Sequence, residues 1–139
     1  MAVKLIEIDF NEEIPSGTAK EAIITPTSGK TARVLAIRVQ AAAISDATEY
    51  NGPSPQQVTI HYKAKNLPNL DVFNVYAKNL NGWLFASTTM SDPNNEVQGQ
   101  ETVKGLEFSA EAPLAFWYKN NTDKPQKGGV HCRIAVLEY

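Results

Sequence analysis

The 139-residue chain has one cysteine, Cys132, and two histidines, His61 and His131. One thiol excludes an intrachain disulfide, and no CxxC pair or Cys/His spacing is present that would hold zinc. Cys132 lies in an apolar run and reads as a small core residue. No stretch approaches the ~18 consecutive apolar residues of a membrane span. The opening MAVKLIEIDF carries acids where a signal peptide needs an apolar core, so the expectation is a soluble product made in a cytoplasm. Thirteen Lys plus Arg against fifteen Asp plus Glu give a net charge of −2, with neither sign gathered into a block. A nucleic-acid binder needs a basic face, and none is evident. The glycine loops that cradle phosphates, GxGxxG and GxxxxGKS/T, do not occur, and no cofactor is implied.

Groups for catalysis are equally scarce. A nucleophile needs a base beside it and a third group to hold that base. His131 and Cys132 are neighbours on a strand-like run, so they point to opposite sides and form a poor dyad. Glu107 and Glu111 share one face, but at strand rise their backbones stand roughly 13 Å apart, too far for an easy acid–base pair. Asp92, Asn94 and Glu96 offer oxygen ligands for a calcium-like ion, without the bidentate pattern such a site uses. No catalytic, cofactor-binding or metal-ligating residue is assigned, and an enzyme is not expected.

What the chain does have is alternation of period two. The segment 30–41, KTARVLAIRVQA, sets Leu35, Ile37, Val39 and Ala41 on one face, with branched residues suited to a pleated sheet. Around this central strand the chain offers EAIIT at 21–25 and QVTIHYKAK at 57–65, the latter with Val58, Ile60 and Tyr62 facing in and Thr59 and His61 facing water. Further strands are expected at 71–78 and 83–88, joined as a hairpin by the Asn-Gly of NLNG. Three more follow at 101–111 (bent at Gly105), 114–119 and 130–139. The stretches 45–56, 91–100 and 120–129 are polar and rich in turn formers; they read as exposed loops, the first as the crossover between two sheets. With the alternating start at 2–10, this predicts an all-β fold, an antiparallel two-sheet β-sandwich or jelly roll of about eight or nine strands. Residues 1–19 form an N-terminal strand or arm plus hinge, and 20–139 a single sandwich domain. Were the first segment to act as an arm on a neighbour, Ile6, Ile8 and Phe10 would be its anchors.

The aromatic residues carry the remaining signal. In LAFWYK, Leu114, Phe116 and Tyr118 share one face and Ala115, Trp117 and Lys119 the other, which places Trp117 near a surface or subunit contact. Exposed Trp rings on sandwich faces also stack on sugars, and Trp83 and Trp117 are the candidates for a glycan platform.

The order of GKTARVLAIRVQ, a long loop, QVTIHYKAK, then Gly82-Trp83-Leu84-Phe85 and a closing GGVHCRIAVLEY resembles small β-sandwich virion proteins of tailed bacteriophages, of the capsid decoration (cement) or fibre-associated class. It covers about four fifths of the chain, from residue 30 to 139, as a pattern of order rather than a diagnostic motif; Met1–Thr18 has no clear counterpart. The resemblance implies a structural protein without catalysis, located in the virion. Its partners would be other copies of itself, as a homotrimer, and a major capsid or other virion protein. The alternative expectation is a carbohydrate-binding β-sandwich of the fibre or receptor-binding type.

Overall fold

A computed structural model describes residues 1–52, 54–64, 67–89, 92–99 and 103–139. These residues form two antiparallel sheets packed face to face as a β-sandwich. The strands in chain order are β1 (Ala2–Phe10), β2 (Ala19–Ile24), β3 (Ala32–Ala41), β4 (Gln56–Ala64), β5 (Leu67–Ala77), β6 (Leu84–Ser87), β7 (Asn95–Gln98), β8 (Glu107–Phe108), β9 (Leu114–Asn120) and β10 (Val130–Glu138). The first sheet runs β1-β10-β3-β6, with β8 also paired to β3; the second runs β2-β9-β4-β5-β7.

Alternation builds the core. Val130, Cys132, Ile134 and Val136 of β10 face inward with Ile8 and Phe10 of β1, against Val58, Ile60, Phe73, Val75, Leu114 and Phe116 from the second sheet. Each fully buried aliphatic or aromatic side chain of this kind contributes about 1.5–3 kcal/mol. The Phe10 and Phe116 rings meet across the layers at 5.7 Å, tilted by 48°. β1 pairs with β10 of its own chain along its whole length, from Ala2 opposite Glu138 to Phe10 opposite Val130.

The central strand departs from its expected phase. Ala135 pairs with Ala36 while Val136 pairs with Val34, so Leu35 is an extra residue in β3. The bulge flips the in–out order: Ala32 and Val34 join Ile37, Val39 and Ala41 in the core, and Leu35 is left 42% exposed. Strict alternation could not reveal that slip.

Two connections also differ from their reading. Residues 42–55 do carry the chain from β3 in the first sheet to β4 in the second, but Ile44, Ala47 and Ser54 are buried within this crossover. The Asn79–Gly82 turn, closed by the Gly82 N–H donating to the Asn79 carbonyl (3.1 Å), does not make a hairpin. Both edges of β5 are already occupied, by β4 and β7, so the turn passes the chain to the other sheet, where β6 pairs with β3. Strand β7 itself lies in what reads as a polar loop. An edge strand needs only backbone pairing and one inward group, here Val97 opposite Val75. Gly99 follows at φ +82°, where an added Cβ would lie 2.3 Å from the Val72 carbonyl oxygen, so this edge closes only on glycine. Of the strand expected at 101–111, Glu101 and Thr102 lie outside the described residues. Gly105 turns the chain, Gly105 and Leu106 exchange backbone hydrogen bonds with Val34, and Glu107–Phe108 pairs with β3.

In the segment 120–129, read as an exposed turn, Asn120, Asn121, Thr122 and Gln126 are instead buried. The Asn120 amide donates to the Ile14 (3.1 Å) and Lys124 (2.8 Å) carbonyls, and its Oδ1 accepts from the Thr122 N–H (3.1 Å) and hydroxyl (2.7 Å). Ile14 and Gln126 exchange backbone hydrogen bonds, and the Asn121 amide donates to the Ser54 carbonyl at 2.7 Å. Hydrogen bonding to neighbouring loops takes the place of water here, which lets polar residues close one end of the sandwich.

Candidate functional site

Two surfaces of the sandwich carry side chains that the core does not explain. The first is the outer face of the second sheet. Register aligns Glu21, Trp117, Thr59, Asn74 and Gln98 in one row across five strands. Lys119 and Gln57 pair in the row on one side; Ala115, His61 and Asp71 align in the row on the other. Short side chains, Thr59 and Ala115, lie between the long ones, and the surface sinks there into a cleft of about 340 Å³ lined by Glu21, Gln57, Thr59, His61, Asp71 and Trp117.

The floor of this cleft is unusual for an outer face. Thr59 is 4% and His61 5% exposed, although both were expected to face water. The Thr59 hydroxyl and the Gln57 amide both donate to Asn74 Oδ1, at 3.4 and 3.1 Å. His61 Nε2 has no hydrogen-bond partner among the described residues; the Glu21 carboxylate stands 3.9 Å away and is engaged by the Lys63 ammonium at 3.0 and 3.1 Å. The Lys119 ammonium lies 5.8 Å from the centre of the Trp117 ring. The set can donate and accept hydrogen bonds and offers an aromatic wall. No group of three His, Cys, Asp or Glu among the described residues is placed to hold a metal ion.

The second surface is the outer face of the first sheet at β1. Val3 pairs with Leu137, and Leu5 with Ala135, which pairs in turn with Ala36 beside the Leu35 bulge. These residues form an apolar patch, bounded by Arg33 opposite Leu137, on which Val3 is 72% and Leu5 54% exposed. The other half of the face is charged: Arg133 pairs with Glu7 at 3.2 Å and His131 with Asp9. β1 ends the strand order of its sheet, so its outer edge has no strand beside it among the described residues. Below it, Glu138 accepts from the Thr27 N–H (2.6 Å) and hydroxyl (2.8 Å), and those bonds hold its carboxyl below the usual range.

The residues singled out from sequence fall differently. Ile8 and Phe10 are buried in the protein's own core and Ile6 packs against it, so they are not exposed as anchors; the exposed apolar groups of β1 are Val3 and Leu5, of opposite parity. Trp117 lies in the cleft wall, whereas Trp83 is 56% exposed before β6 and takes no part in the cleft. The calcium-like set is dispersed: Asp92 caps its own turn through the Asn94 N–H, and Glu96 is taken by Lys78 and the Tyr76 hydroxyl. Glu107 is held by Arg33 and the Tyr139 hydroxyl. Cys132 is fully buried, which pushes its thiol up, away from reactivity. Sequence reasoning missed Glu21, His61 and Asp71, which meet only through strand order. No described helix is long and apolar enough to cross a membrane. A scan against protein-family models and a search of curated proteins return no match.

Proposed function

We propose that the chain is a non-enzymatic structural protein of a virion, a capsid-decorating sandwich that acts as a homo-oligomer. The observation that carries this reading is the apolar patch of Val3, Leu5, Leu35 and Leu137 at β1, whose outer edge has no strand beside it among the described residues. Contiguous exposed apolar groups of this kind mark interaction surfaces, and an open edge offers backbone hydrogen bonds to a neighbour. The resemblance in segment order to small virion sandwiches supports a particle as the setting. The mechanism is physical: a preformed sandwich buries Val3 and Leu5 at a junction and stabilises the assembled state by mass action.

Light scattering on the purified chain tests the first half. The wild type is expected to be a multimer, and the Val3→Lys/Leu5→Lys double variant a monomer with an unchanged β circular dichroism spectrum. Co-sedimentation with the parent particle tests the second, with binding lost in the same variant. A wild type that is strictly monomeric and ignores particles would refute the proposal.

A further inference from the structure

The cleft around Trp117 is not needed for docking through the opposite sheet, yet its construction is specific. We propose that it is a binding site for a neutral carbohydrate, a pyranose presented on a glycan chain.

Three observations converge on that ligand class. The first is the buried imidazole. His61 lies on an outer sheet face, where a histidine would ordinarily be solvated, yet it is 5% exposed and its Nε2 has no hydrogen-bond partner among the described residues. A buried polar atom left unmatched costs stability, about 1–3 kcal/mol. A ligand hydroxyl in the cleft supplies the missing partner. The second is the wall: Trp117 gives the flat apolar surface on which the C–H face of a sugar ring packs.

The third observation is charge. Glu21 and Asp71 line the cleft, Lys63 sits on Glu21, and Lys119 sits over the Trp117 ring. Neither lysine is among the lining residues, so an anion would meet carboxylates, and Lys63 already occupies Glu21 against a cation, whereas a neutral polyol meets acceptors and donors in alternation. Asp71 and Glu21 accept from hydroxyls, and the Gln57 amide supplies both senses of hydrogen bond. The cleft volume of about 340 Å³ lies at the small end of ligand sites, roughly 300–1,000 Å³, which suits one ring with its neighbours leaving along the open sheet face.

This site and the β1 face lie on different sheets, so each reading can fail without the other. The test uses the full chain carrying Trp83→Phe, which leaves Trp117 as the sole indole emitter. It is titrated with glucose, galactose, mannose and N-acetylglucosamine and with their short oligomers. At least one is expected to shift the Trp117 emission saturably, with a Kd of roughly 1 mM or tighter, and a several-fold rise in ionic strength should leave that Kd unchanged. Isothermal titration in the Trp83-containing background should show affinity at least about tenfold weaker in Trp117→Ala and in Glu21→Gln. His61→Phe, which keeps a ring but no acceptor, should lose affinity while gaining thermal stability, a pairing that a merely structural histidine does not give. The proposal is overturned if no neutral sugar in the panel binds. It is also overturned if binding survives Trp117→Ala and Glu21→Gln, or if the only ligands found are charged and salt-sensitive.

Discussion

At the loop end of the sandwich, Asn120, Asn121, Thr122 and Gln126 are buried; at the β1 edge, Val3 and Leu5 are exposed. The two regions invert the usual placement in opposite senses, and for different reasons. The Asn120 amide is matched on both atoms, by the Ile14 and Lys124 carbonyls and the Thr122 N–H and hydroxyl at 2.7–3.1 Å. The Asn121 amide donates to the Ser54 carbonyl at 2.7 Å while its Oδ1 has no partner among the described residues, so most of this burial is accounted for within the fold. Nothing among the described residues covers Val3 and Leu5. An inversion that the fold itself satisfies belongs to stability; one that it leaves open is what the proposed docking surface would use.

Substitutions sharpen that contrast, and the largest effect is expected at the buried end. Asn120→Ala deletes the groups that match two carbonyls, an N–H and a hydroxyl, and should cost about 2–3 kcal/mol in urea unfolding. A smaller, pH-dependent effect comes from Asp123 in the same region, whose carboxyl is held at about 2 by the hydroxyl and N–H of Thr48. A depressed carboxyl stabilises the fold above its unfolded value, about 3.9, and that contribution is lost as pH falls through the folded value. The unfolding midpoint should therefore drop between about pH 4 and pH 2, and Thr48→Ala should flatten that slope. The smallest effect belongs to the β1 edge. Leu5→Ala is expected to change monomer stability by less than about 0.5 kcal/mol, measured at a dilution where no oligomer forms. A loss comparable to that of Asn120→Ala would mean Leu5 serves the fold and would erase the distinction.

The layers were legible from sequence because Val130, Cys132, Ile134 and Val136, or Leu114, Phe116 and Tyr118, alternate without interruption. The errors fall where local pattern and global pairing separate. Leu35 looks like a core residue until the bulge is known. The Asn-Gly at 81–82 has a hairpin's composition, yet strand occupancy sends the chain to the other sheet. Asn120 and Thr122 look like turn residues because their partners, from Ile14 to Lys124, are backbone groups that composition does not announce. At the candidate sites, Trp117 could be placed on the outer face from its neighbours in LAFWYK. Glu21, His61 and Asp71 come from three strands and become a group only when β9 is inserted between β2 and β4.

The pairing of β1 with β10 has a temporal consequence. Residues 2–10 are synthesised about 120 residues ahead of residues 130–138, so they emerge before the strand that receives them exists. Until then Ile6, Ile8 and Phe10 lack their native shelter, and any second chain presenting its own final strand competes for them. Exchange of β1 between copies is the assembly error this pairing would permit, and slowing elongation between β9 and β10 should increase its yield.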